Sequence, residues 1–188
     1  MNTIVIESIA DYANKRKIIE YHGKKYNVNG TKYKELAPCC VEVKTKCIEA
    51  VAKFSLECKT KKIKYDAFRQ TLQNVLHGTE DFTEIKGSDY MAEHYTGDVK
   101  AFCDYKNERD NKLVTRRQFM YQLSKRSCMN EIQFFEEEGF IILNFRSCDY
   151  IKKFPFDLLL IKILIDEFNI KCDKIYCLIG SLHIYNGD

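Results

Sequence analysis

Residues 131–168 read EIQFFEEEGFIILNFRSCDYIKKFPFDLLLIKILIDEF. Two apolar, aromatic-rich runs flank the glutamates and Gly139. Runs of this kind on either side of a glycine predict two strands joined near Gly139, a hairpin. The last part, DLLLIKILIDEF, is apolar nearly all round, which predicts a buried helix rather than a surface one. Asp157 stands at its start, where a carboxylate is favoured as an N-cap. Between strand and helix lie Arg146, Ser147 and Asp149. An arginine, a hydroxyl and two carboxylates thus sit where a core strand meets a core helix, and what they hold becomes the question.

The pattern extends in both directions. TIVIES, near the start, has the composition of a strand. KIIEYHGKKYNV predicts two short strands turning at His22-Gly23. In VKTKCIEAVAKFSLEC, Ile48, Val51, Ala52 and Leu56 recur at helical spacing. In YDAFRQTLQNVLHG, Tyr65, Phe68, Leu72, Val75 and Leu76 share one helix face, and Gly78 supplies a stop signal. Residues 97–106 predict a further short helix, followed by the charged stretch NERDNKLVTRR. KIYCLI and LHIY read as strands. Helices and strands mix without strict alternation, so the expected class is α+β, or α/β layered, with a mixed sheet packed by helices.

The chain has 188 residues, enough for one domain with a sizeable core, and 45% of them are apolar, so it has the composition of a folding sequence. The net charge of +3 is too weak a bias to argue for nucleic acid as a partner, and leaves room for an anionic small ligand. Abundant lysine and isoleucine with only 2 prolines hint at an AT-rich genome such as a phage's. The 9 cysteines are odd in number, none has C-x-x-C spacing, and the histidines do not cluster with them, which argues against a zinc site. Free thiols in a reducing cytosol are the natural expectation. Glu7 interrupts the first apolar stretch, against a secretory signal, and Lys162 interrupts the longest one, against a membrane span.

Residues 128–158 carry a more specific signal. Cys128 precedes Gln133-Phe134, then come Arg146-Ser147-Cys148-Asp149 and Pro155-Phe156-Asp157. Upstream stands Thr115-Arg116-Arg117, and downstream GSLHIY supplies Gly180, His183 and Tyr185. Taken in this order, the segments resemble the thymidylate synthase family, with its nucleophilic cysteine before a Q-F strand, R-S-x-D, P-F-N, an arginine pair and G-D-x-H-x-Y. The resemblance runs from about residue 98 to 185 and is thin before that.

The resemblance implies a thymidylate synthase-like domain over residues 1–188 that lacks the family's closing C-terminal segment. It implies that Cys128 adds as a thiolate to C6 of a pyrimidine nucleoside monophosphate, so that C5 can attack a one-carbon unit on 5,10-methylenetetrahydrofolate. Arg146 and Ser147 would bind the phosphate, because a fork of N–H donors fits its oxygens. Arg116 and Arg117 would reach in from a second subunit, making the active unit a homodimer. His183 and Tyr185 would hold the ribose hydroxyl, and Asp149 would hydrogen-bond the pterin. Asp157 replaces the family's Asn. An ionised Asp only accepts, which suits the 4-amino group of cytosine, and it could hold a proton at N3 in the intermediate. This resembles the deoxycytidylate hydroxymethylase branch, in which water and not hydride completes the reaction. The expected function is therefore deoxycytidylate 5-hydroxymethylation in the cytoplasm, a host's if the chain is phage-encoded.

The chain also departs from the pattern. The early R-T-G-T loop is not visible, Lys53 stands near the family's catalytic glutamate (with Glu49 and Glu57 close by), and Phe145 replaces the glutamine before R-S. A family member that binds a nucleotide or a protein without turnover is the alternative expectation. A nucleic-acid binder using KTKKIKY is a third. The same residues have ordinary roles too: Cys128 as a small hydrophobe, Arg146 paired with Asp149, Arg116-Arg117 as a solvated charge run, Asp157 as a cap and His183 as a strand histidine.

Overall fold

The computed structural model describes residues 2–28, 30–36, 38–59, 65–76, 96–111, 120–122 and 128–185. The strands are β1 (Asn2–Ile6), β2 (Lys24–Val28), β3 (Thr31–Leu36), β4 (Cys39–Lys44), β5 (Met120–Gln122), β6 (Met129–Phe135), β7 (Phe140–Phe145), β8 (Cys148–Asp149), β9 (Lys174–Ile179) and β10 (Leu182–Tyr185). The helices are α1 (Ile9–His22), α2 (Ile48–Lys59), α3 (Tyr65–Leu76), α4 (Thr96–Asp110) and α5 (Phe154–Glu167). The architecture is α+β, with two mixed sheets: six strands ordered β1-β4-β9-β7-β6-β5, and four ordered β2-β3-β10-β8. Among the described residues no helix is long and apolar enough to cross a membrane.

The hairpin expected from the sequence is present. β6 and β7 pair antiparallel, joined by a 3₁₀ turn over Glu136–Glu138 and by Gly139 at φ 75°. That left-handed backbone favours glycine. β7 and β9 then run parallel, connected through β8 and α5. Every second residue of the central strands points into one core: Ile132 and Phe134, Ile141, Leu143 and Phe145, Ile175, Cys177 and Ile179. α5 lies in that core with ten buried residues, as its all-round apolar sequence requires. Truncating one of its leucines, such as Leu160, to alanine removes about 3 kcal/mol. In α2, Ile48, Val51 and Ala52 are buried as their spacing predicts. The side chains of Leu56, Phe68, Leu72, Val75 and Leu76, together with Gly78, lie outside the described residues.

Two expectations need correction. KIIEYHGKKYNV is not a pair of strands: residues 18–22 close α1, and only Lys24–Val28 is a strand. Ser8 caps the helix, its Oγ accepting from the Asp11 N–H at 3.2 Å, and Tyr12 and Ile19 bury one side. His22-Gly23 is the helix stop. The Gly23 N–H donates to Ile19 O at 2.9 Å, and a Cβ there would come within 2.4 Å of the same oxygen. Asp157, second, is not an N-cap. Pro155 suits the first turn, so the helix starts at Phe154 and Asp157 lies inside that turn, its N–H donating to Lys153 O at 3.0 Å. The helix expected over 97–106 runs on to Asp110.

α1 is clasped to the rest by two tyrosines. The Tyr12 hydroxyl donates to Tyr150 O at 2.9 Å, and the Tyr150 hydroxyl donates to Tyr12 O at 3.0 Å. Their rings stack with centroids 4.8 Å apart.

Candidate functional site

The open end of the β6–β7 hairpin gathers the residues singled out in the sequence. Cys128 lies just before β6 and Arg146 just after β7, and the Arg146 N–H donates to Cys128 O at 2.8 Å. Alternation has ended there, so the side chains of Arg146 and Ser147 leave the core. Arg146 is exposed, Cys128 and Ser147 are half-buried, and the Ser147 hydroxyl points at the Cys128 sulfur from 3.8 Å. Gly180 matters here for close approach. Its N–H donates to Phe145 O at 2.9 Å, and a Cβ would come within 2.7 Å of Arg146 O.

The second sheet brings in the remaining residues. β8 pairs parallel with β10, setting Asp149 opposite His183, and the Tyr150 N–H donates to His183 O at 3.0 Å. His183 and Tyr185 sit edge to face at 5.0 Å, and Tyr33 of β3 packs against both at 5.8 and 6.0 Å. Burial raises the Tyr185 hydroxyl's pKa, and Asp149 and Cys128 are near enough to raise it further, so the three groups share one region. The Lys152 ammonium lies 5.7 Å from the Tyr185 ring centroid.

Asp149 is 4% exposed, and its Oδ1 accepts from the backbone N–H groups of Ile151 and Lys152 at 3.0 Å each. That oxygen secures the turn into α5 instead of pairing with Arg146, so the ion-pair reading of Arg146 fails. The other carboxylate, Asp157, is half-buried on the inner side of the cluster. Its charge reaches the thiols of Cys148 and Cys177, which burial already holds far above the usual thiol range. Cys148 in turn lies near Cys128. The two neighbouring cysteines thus differ in kind: Cys148 is 1% exposed and locked neutral, whereas Cys128 is reachable. Arg116 and Arg117 lie outside the described residues.

The sequence reading missed Asp98 in the first turn of α4. It is 1% exposed, its Oδ1 has no hydrogen-bond partner among the described residues, and it feels the charge of Asp157. A carboxylate at a helix start looks ordinary in sequence, and only the packing of α4 on α5 exposes the anomaly. Tyr33 was missed as well, since it comes from a hairpin arm far from any motif. Among the described residues no group of three or more His, Cys, Asp or Glu could hold a metal ion.

At the far end of the same hairpin a cleft of about 670 Å³ is lined by Tyr105, Arg109, Phe134, Glu136, Asn169 and Lys171, among others. Glu136 accepts there from the Tyr105 hydroxyl at 2.6 Å, from Arg109 Nη1 at 3.1 Å and from the Lys171 N–H at 3.0 Å. Burial pushes its carboxyl up, but these bonds outweigh that and hold it below the usual carboxylate range.

Compared with models of protein families and with curated proteins, the chain matches none.

Proposed function

We propose that the chain transfers a one-carbon unit to C5 of a pyrimidine nucleoside monophosphate, as a deoxycytidylate 5-hydroxymethylase does. The observation that carries this reading is the convergence of a reachable Cys128, the Ser147 hydroxyl and exposed Arg146 with Asp149, His183 and Tyr185 at one end of the two sheets. These residues come from three separate segments, at 128, 146–149 and 183–185, and their motifs stand in thymidylate synthase-like order.

In this reading the Cys128 thiolate adds to C6, C5 bonds to the new carbon, and the C5–H proton leaves as that carbon parts from its donor; water then adds to the carbon and the C6–S bond breaks, which frees Cys128 and leaves the hydroxymethyl group. Arg146 and Ser147 hold the 5′-phosphate with charge-assisted bonds. Arg116 and Arg117 add to that grip from a second subunit. His183 and Tyr185 take the ribose hydroxyl. Asp157 accepts from the 4-amino group of cytosine, which an ionised carboxylate does and a uracil carbonyl cannot use. 5,10-Methylenetetrahydrofolate supplies the one-carbon unit when bound. Of the residues described, Asp149 fits it through the carboxylate oxygen not committed to the Ile151 and Lys152 N–H groups. A homodimer is supported by the outer face of the six-stranded sheet, where Phe135, Phe140, Ile142, Tyr176 and Leu178 stay half-buried. The cytoplasm, a host's for a phage protein, is the proposed location.

The test is folate-dependent release of tritium from C5-labelled dCMP. Release that disappears in Cys128→Ser supports the reading, and no release from any pyrimidine nucleotide overturns it. One observation favours a second reading, nucleotide binding without turnover. Phe145, where the family has a glutamine, is 3% exposed and packs edge-on against Phe154 at 6.3 Å, as a core residue. Calorimetric binding of dCMP with no tritium release selects that reading.

A further inference from the structure

Charge is unevenly spread along the chain. Residues 15–34 hold seven basic groups (Lys15, Arg16, Lys17, Lys24, Lys25, Lys32 and Lys34) and one acid, Glu20, so this stretch carries +6 while the whole chain carries +3. The remaining 23 basic and 26 acidic residues leave −3 elsewhere. Averaged over the molecule the charge argues for no polyanion, but its distribution does. Glu20 is already taken up by Arg16 at 2.6 Å. Among the described residues no ion pair engages Lys17, Lys24, Lys25 or Lys32.

The same stretch builds the edge of the four-stranded sheet. β2 and β3 are joined by a turn at Gly30, and Tyr26 stands opposite Tyr33. Tyr33 in turn stands opposite Tyr185 of β10. Three tyrosines therefore lie in direct register across three neighbouring strands. They share the face away from the core, because the alternate residues Leu182 and Ile184 of β10 are the buried ones. The ring centroids of Tyr26 and Tyr33 are 5.3 Å apart, and those of Tyr33 and Tyr185 are 6.0 Å apart. An ammonium meets each end of the row: Lys24 lies 5.4 Å from the Tyr26 centroid, and Lys152 lies 5.7 Å from that of Tyr185. Tyr26 is 37% exposed, and Lys24 and Lys152 are exposed as well. Glu35, opposite Lys24, is the one acid between Lys24 and Leu36. Lysines on an edge strand guard it against pairing with other chains, but that role calls for no row of rings beside them.

We propose that this face binds single-stranded nucleic acid, with bases stacked on the tyrosine row and phosphates held by the lysines around it. A surface lysine is held over a ring only weakly, so a base can take the ring face as the ammonium turns to the adjoining phosphate. A duplex hides its base faces and a lipid surface offers none, which singles out the single strand. Tyr26 and Lys24 lie outside the proposed nucleotide site, so the two readings can fail separately.

The test is fluorescence anisotropy of the full chain with a fluorescein-labelled oligothymidylate of about 20 nucleotides, longer than one stacking platform covers. Thymidylate is used because the proposed nucleotide site favours cytosine. The wild type should bind, its log affinity falling linearly with log salt by about 0.7 per phosphate held. An abasic strand of the same length keeps every phosphate and no base. It and a duplex should both bind about tenfold more weakly. Tyr26→Ala should lose about tenfold in affinity with the salt slope unchanged, and Tyr26→Phe should bind as the wild type does. Lys24→Ala should flatten the salt slope by about 0.7. No binding at about 50 mM salt, equal affinity for the abasic strand or the duplex, or full affinity in Tyr26→Ala overturns the proposal. Capture by phosphatidylserine vesicles without binding of oligothymidylate overturns it too, and reassigns the face to an anionic membrane. If oligothymidylate binds and dCMP does not, the nucleotide reading falls and this one stands.

Discussion

The β6–β7 hairpin has two ends, and they treat polar groups in opposite ways. At the turn end, Glu136 is met by a tyrosine hydroxyl, a guanidinium and a backbone N–H, all within 3.2 Å. At the open end, Arg146 points to solvent, Cys128 is half-exposed with a serine 3.8 Å away, and buried Asp98 feels the charge of Asp157. A fully partnered network stabilises a fold, whereas an exposed guanidinium and a reachable thiol are available to something else. The turn end also holds the cleft of about 670 Å³. Its arginine and its glutamate already neutralise each other.

This contrast can be broken by experiment. The largest effect expected is in Cys128→Ser, which should lower tritium release from dCMP by about 10³-fold or more while leaving urea unfolding nearly unchanged. Next is alkylation of the native protein by iodoacetamide. Cys128 should react about 100-fold faster than Cys148 or Cys177, whose thiols are buried and held neutral, and dCMP should protect it. Peptide mass spectrometry reads this directly, and equal labelling of Cys128 and Cys148 would remove the distinction between them. Third, Glu136→Ala should cost about 2 kcal/mol in urea denaturation, since it orphans a tyrosine and an arginine, yet leave dCMP affinity unchanged. Smallest is Arg146→Ala, for which about a tenfold loss of dCMP affinity is expected, with deoxycytidine affinity and stability intact. If Glu136→Ala abolished nucleotide binding while Arg146→Ala did not, the two ends would have been assigned the wrong way round.

Most of the second half of the fold was legible from the chain. β6, β7, β9 and β10 announce themselves by apolar runs and alternation, and α5 by apolar residues on all sides. α1 was not, because only Tyr12 and Ile19 are buried along its length and its polar residues hide the helical period. His22-Gly23 then resembled a hairpin turn. Asp157 was read as a cap since its carboxylate suits that role, but the start of α5 is set three residues earlier by Phe154 and Pro155. The site was legible only as far as motifs reach. Cys128, Arg146, Ser147, Asp149, His183 and Tyr185 stand in a recognisable order. Asp98 and Tyr33 do not, because their importance arises from what α4 and β3 pack against, which no local pattern encodes.

The Tyr12–Tyr150 clasp has a consequence for how the chain assembles. Its two members are separated by 138 positions, so each hydroxyl must wait for a carbonyl from a distant part of the polypeptide. Contacts of such long range form late, after shorter loops have closed. On a ribosome α1 emerges with its partner still unmade, and the turn beside Asp149 is joined to it only after residue 150 has followed. The corner that carries Cys128 and Arg146 is then clasped to α1 only after these two distant segments have met.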